Sequence, residues 1–424
     1  TPAKYVAFML RDTGCRLVVL HESHAAMQQQ VEAEDAAVAA AGSASSTSST
    51  SSTSSSGGGS PPQRTWLMAK HVLVSPLDVE GQEATGGEHG GAGGILAAPP
   101  EHPGGPGSTC SIFYTSGSTG NPKGVAIRHR NCHNLIHWWS RLVELQEDDV
   151  FLQFSSFSFI MSLRQILPTL HVGARLVVPL GRLDYAHGVY QLGVTKMALT
   201  PSALATLQPQ RCVDLKIVQV AGEAPSLAQA QMWAARLSKF FIGLGPTELT
   251  AHAVTGQFFP MDPQVNIGFP VTSAAADILD PEGQQCPGGG TGELAAAGAN
   301  VAAGYLNRPE LTAPHFTPNP FDPVNKPEMY CTGDYARRLE SGRIQFIGRR
   351  DRQVKIRGFR VELAHICAAI APFEGISKVE VVVRNKELVA YLAPSIGEDK
   401  LKQLKQLLRA QLPEYMVPTH LVEM

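Results

Sequence analysis

Residues 114–124 read YTSGSTGNPKG, a stretch that carries its own chemistry. Thr115, Ser116, Ser118 and Thr119 bring hydroxyl groups, and Gly117 and Gly120 let the backbone turn its N–H groups toward one point. Lys123 adds a cation. Hydroxyls, free amides and one ammonium are what a loop needs to grip a polyphosphate. The lysine is preceded by proline and followed by glycine, so the spacing is not that of the G-x-x-x-x-G-K-[ST] loop. A solvated Gly/Ser/Thr turn has the same composition, and this stretch alone leaves both readings open. His129, His133 and His137 recur every four residues with Cys132 among them, a spacing that aligns metal ligands such as those of zinc on one helix face. No G-x-S-x-G elbow and no ordered Ser, His and Asp set is present, so hydrolase chemistry has no support.

The elements around the loop must hold it. RLVVL, IFYTS, FLQFSS, ARLVVP, KMALTP and LKIVQVAG read as buried strands, alternating with amphipathic segments such as NLIHWWSRLVEL and SLAQAQMWAARLS. That alternation predicts parallel sheets covered by helices. After residue 268 glycine punctuation and runs such as GELAAAG and GRIQFIGR imply a small antiparallel, β-rich part. Beyond Asp351 a strand, the helix ELAHICAAIAPF, a strand pair and the helix KLKQLKQLLRAQL predict a small α+β domain, with GRRDRQ as its hinge. The fold class is therefore α/β, with a large domain over 1–350 and a small lid over 351–424. Residues 36–62, rich in Ser, Thr and Gly, bury too little apolar surface to offset ordering entropy and are expected to be a disordered insertion. Residues 91–107 have the same character, and HVLVSP between the two reads as a strand.

Composition narrows the function classes. Lys and Arg number 35 against 37 Asp and Glu, which leaves no general field to draw nucleic acid or an acidic membrane. The lysines of KLKQLKQLL solvate a helix face, and ELAHICAAIAPF packs a core. No apolar run reaches the ~18–20 residues of a membrane span. The 7 cysteines are scattered, odd in number and form no C-x-x-C pair, which points to a reducing compartment and a cytoplasmic location. The sequence opens at Thr1 without Met or leader, and reads as a piece of a longer chain.

YTSGSTGNPKG resembles the phosphate-loop signature of the adenylate-forming superfamily of acyl-CoA ligases, luciferases and peptide-synthetase adenylation domains. Four further stretches follow in that family's order: GPTE (245–248), GELAAAGANVAAGYLNRPELT (292–312), YCTGDYAR (330–337) and GRRDRQVKIRGFRVE (348–362). TPAKYVAFMLRDTGCRLVV at the start and LPEYMVP (412–418) also match. The resemblance spans the chain apart from the insertion. It implies that a carboxylate attacks the α-phosphate of ATP to give an acyl-adenylate, helped by Mg²⁺. Thr115, Ser116, Gly117, Ser118, Thr119, Gly120 and Lys123 are then implied to hold the β and γ phosphates, with Thr247, beside Gly245, on the α-phosphate and Glu248 on the metal. Asp334 is implied to take the ribose hydroxyls, with Phe346 and Arg349 also on the nucleotide. Asp351 falls at the family's hinge, and Lys355 and Gly358 on the face presented when the acyl group passes to a thiol. QVKIRGFRVE is closer to the peptide-synthetase branch, which favours a phosphopantetheine arm on a carrier-protein domain over free coenzyme A. The family has no metal among the histidines after the loop, so these are expected to serve an ordinary helix.

The match has breaks. In FSSFSFIMSLRQILPTL, Ile160 stands where α-amino-acid-activating members carry the Asp that pairs with the substrate ammonium, and an unpaired buried ammonium is expensive. The remaining pocket positions by the same alignment are Met161, Arg164, Ala198, Gln219, Ala221, Gly243, Ala251 and His252. Arg164 suits an anionic or hydroxylated substrate tail, or equally an arginine that reaches solvent or pairs within the protein. A small-molecule carboxylic acid without an α-amino group is therefore expected: a keto, hydroxy, aryl or dicarboxylic acid. Leu244 replaces the aromatic that stacks on adenine and Ile242 an amide-bearing residue, and the family's late lysine is expected beyond Met424, so slow adenylation by residues 1–424 is anticipated. Two alternatives stay open: a coenzyme A ligase, or an adenylation fold kept for binding. Retention of Lys123, Thr247, Glu248, Asp334 and Lys355 speaks against the latter.

Overall fold

The computed structural model describes residues 9, 17–21, 30, 33, 65–69, 105–117, 122–179, 185–349, 353–356, 358–385 and 387–424. The insertion at 36–62, the HVLVSP run, most of 91–107, and Ser118, Thr119, Gly120 and Asp351 lie outside them. The chain forms two units. In Val6–Ser108, β1 (Leu17–His21) pairs in parallel with β2 (Thr65–Ala69). The other unit holds Thr109–Met424 and all the elements from β3 onward.

IFYTS does form a strand, β3 (Thr109–Thr115), but it pairs antiparallel with β4 (Lys123–Arg128) outside the main sheet. The intervening loop is too short for a parallel crossover, which takes about a dozen residues. The short Val/Ile/Leu runs behave as buried strands, with only the edge run Arg175–Val177 partly open. β5 (Val150–Leu152), β6 (Arg175–Val177), β7 (Lys196–Leu199), β8 (Ile217–Val220) and β9 (Lys239–Leu244) are parallel. β10 (Val254–Phe258) and β11 (Phe269–Pro270) continue the sheet antiparallel, in the order β11-β10-β9-β8-β7-β5-β6.

Strand alternation sends Met197, Leu199, Val218, Val220, Phe240 and Ile242 to one face, where they pack with Val189 of α3 (Tyr185–Gln191) and Ala230 and Trp233 of α4 (Leu227–Ala234). Ala198, Ile217 and Phe241 face the other way. They pack beneath Leu135, Trp138 and Trp139 of α1 (His129–Leu142), joined by Leu163 of α2 (Met161–His171). Asn131 closes the start of α1, accepting the Arg128 N–H through Oδ1 at 2.8 Å, and its Nδ2 donates to the carbonyls of Ala299 and Val301 at 2.8 and 2.9 Å. The helix is thereby tied to the next layer.

That layer is an antiparallel sheet, β12 (Ala274–Leu279), β13 (Thr291–Gly298), β14 (Phe316–Pro318) and β15 (Glu328–Arg338) in the order β12-β13-β15-β14, with β16 (Ile344–Arg349) on β15. The C-terminal part opens on the hairpin β17 (Gln353–Ile356) and β18 (Phe359–Glu362). α5 (Leu363–Ile370), α6 (Glu398–Gln411) and the sheet β19 (Lys378–Arg384), β20 (Glu387–Ala393) and β21 (His420–Glu423) then enclose a core of their own around Val361, Ile366, Val381, Leu392, Leu404 and Leu408. This is the α/β architecture with a small C-terminal α+β part that the patterning implies.

Candidate active site

The site is built on the turn after β9. Thr247–Leu249 makes one tight 3₁₀ turn, after which Thr250 (φ 54°) and Ala251 (φ 63°) are both left-handed. Such residues cost of order 1–3 kcal/mol each and persist only where the surroundings hold them. Here Thr250 Oγ1 donates to the Asn300 carbonyl at 2.9 Å, and Asn300 Nδ2 donates to the His252 carbonyl at 2.7 Å. The Glu248 carbonyl accepts the Ala302 N–H at 2.9 Å. The turn places the Glu248 carboxylate fully inside the protein, at 0% exposure, with Thr247 half-buried beside it.

Cations and phenols converge on that carboxylate. Tyr305 Oη donates to Glu248 Oε1 at 2.7 Å, and Arg360 Nη1, from β18, donates to the same oxygen at 2.8 Å. Tyr330 Oη lies 3.4 Å from Tyr305 Oη, and Lys123 Nζ sits 4.6 Å from the centre of the Tyr305 ring. Burial alone would push the Glu248 pKa up; Arg360, Lys123 and the Tyr305 hydroxyl outweigh it and hold the group at about 2. Burial and Glu248 push both phenols up, so they remain donors. The loop joins this centre through Ser116, whose Oγ donates to the Arg360 carbonyl at 2.9 Å.

Two oxygens stand out: Glu248 Oε2 and Thr115 Oγ1 are buried and have no hydrogen-bond partner among the described residues. A hard cation takes oxygen ligands, and Mg²⁺ keeps waters and is bound through one or two carboxylates plus substrate phosphates. An ionised, half-unsatisfied carboxylate fits such an ion. Among the described residues no group of three or more His, Cys, Asp or Glu is placed to hold a metal. His133 and His137 pair with each other, Nε2 to Nε2 at 3.1 Å.

Asp334 of β15 and Arg349 of β16 are register partners, joined Oδ1 to Nη1 at 2.7 Å, with Asp334 at 1% exposure. Thr332 Oγ1 accepts the Asp334 N–H at 3.0 Å. Phe346, on the same strand as Arg349, packs against the main core. Lys355 of β17 is exposed yet close enough to Asp334, Arg349, Arg360 and Glu248 to feel their charges.

The expected acid pocket falls on the sheet face beneath α1 and α2. Ala198 is the register partner of Gln219, Gln219 of Phe241, and Gly243 of Thr255, so Ala198, Gln219 and Gly243 line one face near the C-terminal strand ends, where ligands of open α/β sheets bind. Ala221 continues that line just past β8. Ile160, at the head of α2, is buried among Phe113, Val125, Ile127, Ala251, Ala302 and Tyr305, with Met161 against the cluster. Arg164 Nη1 approaches the Ala251 carbonyl at 3.4 Å, and its guanidinium lies 4.6 Å over the Trp139 ring. His252 stacks on Trp138 with centroids 4.9 Å apart. Its Nδ1 meets the Thr250 carbonyl at 2.5 Å and its Nε2 meets Asn134 Nδ2 at 3.2 Å, a neutral tautomer protonated on Nδ1.

That tautomer sets a pH dependence. Burial pulls the imidazole from 6.5 down to about 4, opposed by the Thr250 carbonyl and assisted by Arg164. The unfolded chain therefore binds the extra proton first, so this contribution is complete above the unfolded value and is lost as pH falls from 6.5 toward 4. Urea unfolding at pH 7 and pH 5 is expected to show about 2 kcal/mol of loss from this group, absent in His252→Gln.

The hairpin tip meets the large sheet. Gly358 (φ 80°) packs so closely that a Cβ there would lie 2.5 Å from Thr200 Cγ2, and a Cβ on Gly222 would lie 3.4 Å from Gly358 Cα. Phe359 contacts Phe159 edge-on at 5.2 Å.

The structure thus brings Thr115, Ser116, Lys123, Glu248 and the 355–360 hairpin to one place, and Arg164, Ala251 and His252 to another on the far side of the same turn. Sequence reasoning missed Tyr305, Tyr330, Arg360, Trp138 and Trp139. Tyr305, Tyr330 and Arg360 stand inside the quoted motifs, but nothing in their spacing separates a residue that holds Glu248 from its neighbours. The two tryptophans read only as the apolar side of a helix.

Residues 1–306 match the family described as AMP-binding enzyme. Bacitracin synthase 3 of Bacillus licheniformis is 37% identical over 339 residues, covering 76% of this chain and 5% of that protein. Phosphinothricin tripeptide synthetase PhsC of Streptomyces viridochromogenes is 37% identical over 318 residues, covering 72% and 29%. The chain thus spans less than a third of the length of these relatives. Among solved structures, the Vibrio cholerae adenylation domain AlmE in complex with glycyl-adenosine-5'-phosphate superposes with a TM-score of 0.77 at 21% identity, over all of this chain and 79% of that one. Holo-PA1221, an NRPS protein containing adenylation and PCP domains bound to a vinylsulfonamide inhibitor, gives 0.71 at 25%, over all of this chain and 75% of that one.

Proposed function

The chain belongs to the AMP-binding enzyme family, and from that premise we propose that it activates a carboxylic acid lacking an α-amino group as its acyl-adenylate and passes the acyl group to a phosphopantetheine thiol on a carrier-protein domain. The observation that carries this reading is the buried, ionised Glu248 with one oxygen unpartnered among the described residues. Mg²⁺ held there would neutralise charge on the β and γ phosphates of ATP. Thr115, Ser116 and Lys123, with Ser118 and Thr119 of the same loop, orient those phosphates; Thr247 donates to the α-phosphate; Asp334 releases Arg349 in part to accept the ribose hydroxyls. A substrate carboxylate oxygen then bonds to the α-phosphorus as the bond to the bridging oxygen breaks, and pyrophosphate leaves. The protein's part is position and fixed charge.

For the second step, residues 351–424 act as a lid turning about Asp351. The arrangement with Arg360 on Glu248 Oε1 and Gly358 against Thr200 is the one we assign to thiol transfer, with the hairpin tip lying against the large sheet. The acceptor assignment is supported by the QVKIRGFRVE hairpin and by structural likeness to a protein containing adenylation and PCP domains. Free thiols throughout the described cysteines accord with a cytoplasmic setting.

Gly358→Val puts a side chain into Thr200 at a left-handed backbone position. It is expected to slow transfer of preformed adenylate to the thiol by about 10²-fold, with ATP–pyrophosphate exchange kept within about threefold. Equal loss in both assays would remove the hairpin from the second step. The overall activity is tested by exchange over a panel of oxo, hydroxy, aryl and dicarboxylic acids beside the standard amino acids, using the full-length protein. Acids without an α-ammonium are expected to lead, because Ile160 and its neighbours cannot neutralise one. Strongest exchange with alanine or another standard amino acid overturns the substrate reading, and transfer to free coenzyme A in preference to the carrier overturns the acceptor.

A further inference from the structure

We infer that the acid activated by this chain carries a second carboxylate at its far end, and that Arg164 is the residue that binds it. The inference rests on the proposed activity, in which the face beneath α1 and α2 receives the acid.

Arg164 is at 1% exposure, on the first turn of α2, with its guanidinium at the Trp139 ring of α1 and the Ala251 carbonyl. A guanidinium offers five N–H donors. Here Nη1 makes a single contact at the long limit, 3.4 Å to the Ala251 carbonyl, and Nε and Nη2 donate to nothing among the described residues. Removing an ion from water costs several kcal/mol unless an opposite charge and full hydrogen bonding replace the hydration. No carboxylate among the described residues does so: burial alone pulls this group down to about 9, with no anion opposing it, and at neutral pH it stays charged. A structural arginine would have its partner already.

The surroundings are arranged for a ligand to supply that partner. The guanidinium carbon lies 4.6 Å over the Trp139 ring, a contact that holds the group without using its N–H donors, which suit the paired oxygens of a carboxylate. His252, the titratable group on which the Arg164 charge acts, is neutral and spent on Thr250 and Asn134. Gln219, on the sheet face below, is at 0% exposure with Oε1 unpartnered among the described residues, and its Nε2 reaches Thr255 Oγ1 only at 3.4 Å. Ala198, Gly243 and Ala251 add no bulk. One turn earlier, at the head of the same helix, where an ammonium would need an anion, stands Ile160 among apolar neighbours. Among the described residues the pocket therefore carries one uncompensated positive charge and no negative one. A ligand that spends its first carboxylate on the α-phosphate matches it with a second.

The test compares each straight-chain dicarboxylate of four to seven carbons with its own mono-amide, which has the same shape and lacks the distal charge. Exchange is measured in the full-length protein, as wild type and as Arg164→Met and Arg164→Lys. At the best chain length the dicarboxylate is expected to exceed its mono-amide in kcat/KM by at least about 10²-fold. Arg164→Met should abolish that preference, mostly through KM, and Arg164→Lys should keep part of it. A purely structural arginine would move acid and amide together. Methionine fills the volume without a charge, so the variant is expected to fold, checked by its Tm. Independently of turnover, the favoured dicarboxylate should raise the Tm of the wild type and not of Arg164→Met. The inference is overturned if mono-amides or simple monocarboxylates are preferred, if the preference survives Arg164→Met, or if a preparation that binds Mg–ATP exchanges with no dicarboxylate. Failure to bind Mg–ATP at all strikes the underlying activity instead and is seen separately by calorimetry.

Discussion

Glu248→Gln will lower ATP–pyrophosphate exchange by about 10²–10³-fold while the protein remains folded. The side chain keeps its size and still accepts from Tyr305 and Arg360, but it no longer offers a cation an ionised oxygen. In the wild type that oxygen is Oε2, buried and without a partner among the described residues, while Oε1 takes both the Tyr305 and the Arg360 donors. The division of labour on one carboxylate is the reason a neutral isostere should fail: half the group is structural, and the other half is left for a cation. Some stability will also be lost because Arg360 keeps its charge and loses its anion. Arg360 is 19% exposed, so water limits the loss to about 1–2 kcal/mol, readable by urea unfolding. Exchange within about threefold of wild type would leave Glu248 as no more than an anchor for the hairpin.

Gly245→Ala is expected to cost about 3 kcal/mol or more and to abolish ATP binding with it. A Cβ at this position would lie 2.3 Å from the Ala251 carbonyl carbon and 2.4 Å from the His252 nitrogen, so it meets backbone on the opposite side of the turn, which cannot rotate away. Relief would have to come from Thr250 and Ala251, already held left-handed. The turn that buries Glu248 and the carbonyl that Arg164 approaches both belong to this loop, so metal and acid sites should fail together. Gly288→Ala is the control, since a Cβ there meets nothing within 4 Å. Thermal unfolding and ATP titration on the two variants separate a packing effect from a general cost of losing glycine.

Why some of this could be read in advance, and some not, is a matter of range. The parallel strands were legible because Met197–Leu199 is an unbroken apolar run and Ile217–Val220 is interrupted only by Gln219, the pattern of a strand buried on both sides. The separate C-terminal core was legible from helical spacing in ELAHICAAI and KLKQLKQLL. The pairing of IFYTS was not: its apolar run is the same whether it joins the main sheet or folds back on Lys123–Arg128, and loop length decided. At the site, the hydroxyls, glycines and Lys123 raise an anion-binding reading through local chemistry, one that the same composition shares with a solvated turn. The grip of Arg360 on Glu248 spans 112 positions and depends on how the hairpin lies against the large sheet, which no local pattern encodes. Arg164 had two readings in the sequence. Its burial removes solvent as a partner, and its N–H groups, unpartnered among the described residues, leave those residues as an incomplete one.

At the centre of the proposed chemistry, Glu248 and the hydroxyl loop hold a nucleotide's phosphates through a divalent cation. Calorimetric titration of ATP into the full-length protein, with Mg²⁺ and with a chelator, tests this most directly. Saturable binding is predicted with Mg²⁺, weakening at least about tenfold when the ion is removed, and that difference should vanish in Glu248→Gln. Binding of equal strength with and without Mg²⁺, or no binding by the folded protein, would contradict it.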